Sequence, residues 1–368
     1  MLRKLIFVFF FCSFLLQING QNILKETYRK LSSPDGKYNF TVYQKKISDD
    51  SRQMYYTVSY NGEVVIEESE LGVLIENQLF ESALGIPNDT YEIWGENLEL
   101  MDVETRTVNN TWTPVYGERA VVKDHFNELV LKFEKGGNPD ENKIVAHSPG
   151  QGQAYDKNQY YYMDFIVRAY DEGVAFRYHF PEATNGLFLH IVGEQTQFVM
   201  PENSLAYYTH WAQTTYDLIP LKDWSGESER PLTLKLENGL FVSLTEAEMV
   251  DYTRTKFKLT AKNTLQTSMY GCADVITPYS TPWRVIMVAE KATELLANND
   301  IILNLNPENR IEDYSWIKPG KVFRSTQLTQ DAAIKAIDFA YERNLQYVHL
   351  DAGWYGSEVK MSSDATKV

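Results

Sequence analysis

The sequence predicts a mainly β protein, a large β-sandwich followed by an incomplete α/β barrel segment. Three observations carry that prediction. Short runs of period-two alternation, punctuated by turn signals, fill the stretch from Tyr28 to about Pro307. A helical period and then a short apolar strand occupy Thr329 to Leu350. After Leu350 only 18 residues remain, and the last nine, Lys360 to Val368, are mostly polar.

The chain opens with Arg3 and Lys4, an apolar run from Leu5 to Leu16, and small residues at Asn19 and Gly20. That layout is a secretory signal peptide, cleaved after Gly20, and places the protein in the periplasm or outside the cell. The run is shorter than the roughly 20 apolar residues a spanning helix needs. An uncleaved N-terminal anchor is the alternative. Cys12 lies within the apolar run and is not placed for lipidation, and no later segment is apolar enough to cross a membrane.

Strand signals begin at Tyr38-Asn39-Phe40-Thr41-Val42-Tyr43, just after the turn Ser33-Pro34-Asp35-Gly36. Met54 to Tyr60 and Val64-Val65-Ile66 flank Asn61-Gly62, a dipeptide suited to a tight hairpin. Glu128 to Glu134 and Tyr162 to Tyr170 alternate in the same way, and Asp171-Glu172-Gly173 turns the latter into Val174 to Phe180. Leu232 to Leu236, Asn238-Gly239 and Leu240 to Leu244 form a further hairpin. The 24 Tyr and 18 Phe suit half-buried sheet faces. With no Pro/Ser linker, the stretch from 21 to 307 reads as one domain.

Composition narrows the function. The net charge is −15, and loss of residues 1–20 removes two positive charges more. A chain this acidic, with no Lys/Arg cluster, repels phosphate backbones, so nucleic acid is excluded as a partner. The mature chain keeps one cysteine, Cys272, so it forms no internal disulfide. Cys272, between Gly271 and Ala273, is read as a buried small residue. Asn39-Phe40-Thr41, Asn88-Asp89-Thr90 and Asn109-Asn110-Thr111 fit the glycosylation sequon and matter only in a host that glycosylates. The histidines show no metal-ligand spacing. Gly150-Gln151-Gly152-Gln153 resembles no phosphate loop.

From residue 308 the texture is α/β. Tyr314-Ser315-Trp316-Ile317 is a short apolar run, broken by Lys318-Pro319-Gly320-Lys321. Thr329 N-caps a helix to Arg343 that turns Ala333, Ala336, Ile337 and Ala340 to one face, and Asn344 stops it. Leu345 to Leu350 is the following strand. One such β-α-β unit cannot cover its own faces. A closed barrel of this kind typically has eight strands and about 250 residues, so residues 308–368 read as a barrel begun and left open. A small α/β annex packed on the sandwich is the alternative. In such barrels function gathers at the C-terminal strand ends, where Asp351-Ala352-Gly353-Trp354 stands. A carboxylate accepts hydroxyl hydrogen bonds and an indole stacks on a pyranose face, which makes Asp351 and Trp354 a candidate sugar-binding pair. Trp354 as a packing residue is the competing reading.

Ser315 to Lys321, Ile337-Asp338-Phe339-Ala340 and Tyr347 to Trp354 together resemble glycoside hydrolase family 97. Upstream, Asp171 to Tyr178, Gly193 to Phe198, Leu244 to Tyr252 and Thr281 to Ile286 resemble its sandwich domain, in order along nearly all the mature chain. The resemblance implies a β-supersandwich followed by a catalytic TIM-type barrel, acting on α-glucosides or α-galactosides, with Ca2+ between the two. It gives Glu194 as the sandwich's calcium ligand, a hard oxygen donor suited to that ion. It implies that the two catalytic carboxyl groups lie on later barrel strands, so the catalytic residues are not assigned here and the chain alone lacks a two-carboxylate mechanism. The function expected is the N-terminal portion of an exported glycoside hydrolase, inactive as it stands, whose partner is an oligosaccharide or glycoside. A non-catalytic carbohydrate-binding or structural sandwich is the alternative.

Overall fold

In the computed structural model, residues 23–76, 91–135, 161–181 and 188–367 are described. The leader with Cys12, the Asn88 sequon and the Gly150-Gln151-Gly152-Gln153 stretch lie outside them. The described residues fall into two compact units, one within Met1–Trp112 and Val122–Pro307, the other within Thr113–Val121 and Glu308–Val368.

The first strands are β1 (Ile23–Ser32), β2 (Tyr38–Ser48), β3 (Ser51–Tyr60), β4 (Glu63–Glu70), β5 (Val73–Glu76) and β6 (Tyr91–Trp94). Two long strands follow, β7 (Glu99–Trp112) and β8 (Val122–Lys135). Next come β9 (Tyr161–Tyr170), β10 (Gly173–Phe180), β11 (Phe188–Glu194), β12 (Gln197–Val199), β13 (Leu205–Tyr208) and β14 (Asp217–Pro220). The chain continues through β15 (Glu227–Ser228), β16 (Leu232–Lys235), β17 (Phe241–Ala247), β18 (Thr255–Ala261) and β19 (Thr264–Met269). This unit closes with β20 (Ala273–Ile276), β21 (Tyr279–Ser280), β22 (Trp283–Ala289) and the short helices α1 (Ala292–Ala297) and α2 (Asp300–Asn304).

Among the described residues, three antiparallel sheets build this unit. One runs β1-β2-β3-β4-β12-β19-β18-β15, a second β14-β13-β16-β17-β22-β10-β9-β8-β7 with β21 on β10, and a small third β20-β11-β5-β6. Period two decides what each strand buries. Tyr38, Phe40 and Val42 of β2, with Met54, Tyr56 and Val58 of β3, face Phe165 and Val167 of β9 and Phe176 and Tyr178 of β10 in one core. The ring of Phe176 lies 5.1 Å from Tyr56, 5.6 Å from Phe165 and 5.8 Å from Phe40, which ties the two large sheets together. Asn61 and Gly62 both take positive φ, +50° and +87°, the geometry that closes β3 onto β4 without splaying them.

The outward face of the second sheet carries a second apolar cluster, with Phe126, Tyr170, Trp283 and Val285, and beside it a group of charges. Arg106, Glu128 and Arg168 stand opposite one another on β7, β8 and β9. Arg168 Nε donates to Glu128 at 2.7 Å and Arg106 Nη2 at 3.1 Å, while the Glu128 side chain is only 6% exposed. Burial alone would raise the Glu128 pKa, but the hydrogen bonds from Arg106 and Arg168 outweigh it and hold the pKa below its ordinary 4.5. The folded state therefore binds this proton less readily than the unfolded chain. Its contribution to stability is complete above the unfolded pKa and is lost as pH falls through the lower folded value. Glu128→Gln is expected to flatten the acid limb of a plot of urea midpoint against pH, below about pH 4.5. An unchanged slope would remove Glu128 from the acid response.

The long strand β7 carries no sequence signal of the expected kind, because both its faces are largely exposed. Cys272 corrects an expectation: it is exposed, not buried. Alternation in β20 sends Ala273 and Val275 inward, so the residue before Ala273 turns to solvent.

The second unit holds β23 (Val322–Ser325), α3 (Gln330–Glu342) and β24 (Tyr347–Leu350). Strands β23 and β24 pair in parallel, as a crossover through one helix requires. Thr329 Oγ1 caps α3 by accepting from Ala332 N at 3.3 Å, and Asn344 leaves it at φ +55°. The first strand is Val322–Ser325, whereas the run Tyr314 to Ile317 is a turn closed by Ile317 N to Tyr314 O at 3.0 Å. Pro319 and Gly320 intervene, and the chain becomes extended only beyond them. On α3, Ala336 and Ala340 are buried as expected, but Ile337 is 56% exposed. Two strands cover only a narrow strip of a helix, and Ile337 falls outside it.

Candidate functional site

Arg284 is a charge in an apolar strand. Its neighbours in β22, Trp283 to Ala289, are all buried, and alternation turns Arg284 inward with Ile286 and Val288 while Trp283 and Val285 face out. Burying a guanidinium requires counter-charge and hydrogen bonds. Glu246 of β17 supplies one, directly across the ladder. Arg284 Nη1 donates to it at 2.8 Å. Glu194, the last residue of β11, supplies the other, receiving Nε at 3.0 Å and also Nη2. The three side chains are at most 4% exposed. Both carboxylates hold the Arg284 pKa above its ordinary value against the opposing effect of burial.

The remaining lone pairs are filled by neutral and charged donors. Tyr252 Oη donates to Glu194 at 2.9 Å and Thr196 Oγ1 at 3.3 Å. Burial and the adjacent Glu194 push the Tyr252 hydroxyl well up, so it remains a donor. Glu246 accepts Thr255 Oγ1 at 2.8 Å and is ion-paired with Arg230 Nε. Arg230 in turn reaches Glu229, a third buried carboxylate bound by Lys256 at 3.1 Å and Arg254 at 3.4 Å. On the outward side of the same strands, Trp283 lies beneath the guanidinium groups of Arg168 and Arg177, at 4.8 and 4.2 Å, and its Nε1 donates to Glu248 at 3.1 Å.

Glu194 is therefore the counter-ion of Arg284. Calcium takes six to eight oxygens. Here both Glu194 oxygens face a guanidinium, and among the described residues no group of three or more His, Cys, Asp or Glu is arranged to hold a metal. The residues present do not fit calcium, because a divalent ion at Glu194 would sit against the charge of Arg284.

In the second unit, Asp351 follows β24 directly. Its Oδ1 accepts from Ala352 N at 2.9 Å and its other oxygen pairs with Arg324 of β23. The Ala352 amide first, and then Arg324, hold its pKa below 3.8, so it is ionised at neutral pH and cannot donate a proton. Trp354 is half-buried and packs edge-on against Tyr355 at 5.2 Å. Asp351 and Trp354 are separated by Ala352 and Gly353, the latter at φ +91°.

Sequence reasoning missed Arg284 and Tyr252 as individual residues, although both lie in the motifs quoted above. The signal was available: an arginine at an inward position of a continuous apolar run calls for a buried carboxylate. Among the described residues no helix is long and apolar enough to cross a membrane.

Comparison with known proteins places these features. The family model for the glycosyl-hydrolase 97 N-terminal domain matches residues 31–307. A retaining alpha-galactosidase of Bacteroides thetaiotaomicron is 22% identical over 392 residues, taking in 92% of this chain and 51% of that protein. A glycoside hydrolase family 97 enzyme from Pseudoalteromonas sp., solved in complex with acarbose, superposes with a TM-score of 0.69 at 24% identity, over 89% of this chain and 48% of its own. A single-substitution variant of that enzyme has been solved in complex with panose. A beta-arabinopyranosidase crystal structure gives a TM-score of 0.65 at 20% identity, over 89% of this chain and 51% of that one. The chain thus spans about half the length of these relatives.

Proposed function

Because this chain belongs to glycoside hydrolase family 97 by its match over residues 31–307, we propose that it forms the N-terminal portion of an exported enzyme hydrolysing α-glycosides, of α-galactosidase or α-glucosidase type. The observation that carries this reading is the family match across the sandwich, together with the parallel β-α-β unit that follows it. An alpha-galactosidase among the relatives and acarbose and panose complexes among the structural neighbours support the substrate class. Export rests on the leader read in residues 1–20, and the β-α-β unit is assigned as the first portion of the catalytic barrel. Asp351 and Trp354, at the end of its second strand, are the proposed sugar contacts. Calcium plays no part in this reading of the chain, since Glu194 is committed to Arg284.

Hydrolysis needs one carboxyl group to protonate the leaving oxygen and another to attack or to activate water. Asp351 is ionised and held by Arg324, which suits it to accepting sugar hydroxyls and unfits it as the acid. The purified chain is therefore expected to release no nitrophenol from p-nitrophenyl α-galactoside or α-glucoside, with or without added calcium. Release that disappears in Asp351→Asn would overturn this assignment and make Asp351 a catalytic residue.

A further inference from the structure

Trp211 and Tyr270 are 59% and 65% exposed, yet neither ring is loose. Lys256 Nζ lies 4.1 Å from the centre of the Trp211 ring, and the Arg254 guanidinium lies 4.8 Å from that of Tyr270. Two residues apart at the start of β18, these cations share a face, and both end on Glu229, at 3.1 and 3.4 Å. Glu229 is buried, its side chain 6% exposed. The loop carrying Trp211 is fixed as well. Thr209 Oγ1 donates to Trp211 O at 3.0 Å, and Lys256 Nζ donates to His210 O at 3.0 Å. One buried carboxylate thus anchors two cations, and each cation supports one ring while most of that ring's surface stays in solvent.

We propose that Trp211 and Tyr270 form a carbohydrate-binding platform on the sandwich that stacks on the C–H faces of pyranose units. Rings fixed before the ligand arrives lose little entropy on binding, which favours a weak, flat ligand. The surroundings supply partners for hydroxyl groups. His210 is exposed beside Trp211, Ser268 is the cross-strand partner of Lys256, and Glu227 accepts from Ser268. Gln213, Thr214 and Thr215 continue the Trp211 loop as exposed polar residues. An apolar protein partner would meet an apolar centre here, whereas this surface alternates ring faces with hydrogen-bonding groups, as a sugar does. The choice of an α-linked sugar rests on the function proposed above; the stacking geometry itself does not depend on linkage.

The test is titration of the full chain with maltoheptaose, raffinose and cellohexaose, followed by tryptophan fluorescence and calorimetry. Wild-type chain is expected to bind an α-linked oligosaccharide, Trp211→Ala to weaken binding about tenfold or more, and Tyr270→Ala several-fold. Trp211→Phe, which keeps a stacking face, is expected to restore part of the loss. All three variants should keep the wild-type thermal midpoint, because both rings are exposed. Wild-type chain that binds none of the three sugars overturns the platform. Maltoheptaose binding that is unchanged in both alanine variants also overturns it, while leaving the α-glycoside reading intact. Binding of cellohexaose alone, lost in Trp211→Ala, keeps the platform and overturns the α-glycoside reading.

Discussion

Replacing Arg284 with alanine is expected to destabilise the sandwich by about 3–5 kcal/mol, the cost of leaving the buried carboxylate of Glu194 without its counter-charge. Glu194 and Glu246 have side chains at most 4% exposed, and both take hydrogen bonds from this one guanidinium. Without it, Tyr252 and Thr196 remain on Glu194, and Thr255 and Arg230 on Glu246. Arg230 still balances Glu246, but the neutral donors on Glu194 do not compensate its buried negative charge. The measurement is the urea midpoint and slope followed by tryptophan fluorescence. A companion variant separates charge from packing: Arg284→Met with Glu194→Gln and Glu246→Gln removes all three charges at similar volume. It should recover most of the loss, since well-packed neutral replacements of buried ion networks are often close to neutral. A loss below about 1 kcal/mol in Arg284→Ala would mean that water reaches the site and the network is not the buried one described.

The second large effect lies in the core between the sheets. Phe176 is fully buried, and its ring meets those of Tyr56, Phe165, Phe40 and Phe198 at 5.1 to 6.4 Å. Its partners belong to β2, β3 and β12 on one sheet and β9 on the other, so the ring fills space that no single strand can close. Phe176→Ala is expected to cost about 3–5 kcal/mol through lost transfer energy and a residual cavity. The thermal midpoint should fall by on the order of 10 °C for a unit of this size. Phe176→Leu refills most of the volume and should cost less than half as much. Equal losses in the two variants would show that the aromatic contacts, rather than the volume, set the energy.

Much of the architecture was legible because strands advertise themselves through alternation. Tyr38 to Tyr43, Met54 to Tyr60, Tyr162 to Tyr170 and Val174 to Phe180 each carry inward residues at every second position, and each lies within a strand. Asn61-Gly62 and Asn238-Gly239 marked turns because they tolerate positive φ, as Asn61 and both glycines do. The α3 helix was legible from Thr329 to Asn344 for the same kind of local reason, a cap and a stop. Strand β7 was not, since exposure of both faces erases alternation. Nor was β23, a strand of only four residues that begins beyond the apolar run Tyr314 to Ile317 and its breaker.

The candidate residues divide along the same line. Asp351 was singled out as a candidate from its position after a strand, a local property, and its pairing with Arg324 is the neighbouring strand's contribution. Glu194 was found by family resemblance, but its occupation by Arg284 joins positions 90 residues apart. Cys272 was misread because composition alone does not say which side of a turn faces water.

By itself the sequence determined the strand-rich class, most inward faces, the α3 boundaries and the family, all of which rest on short-range periodicity or contiguous motifs. Only the tertiary structure decided that Arg284 pairs with both Glu194 and Glu246, and that Glu229 holds two cations beneath two exposed rings. The physical reason is that a buried charge is satisfied by whichever opposite charge the folded sheets bring within about 3 Å. That pairing is set by sheet order and register, and leaves no periodic trace along the chain.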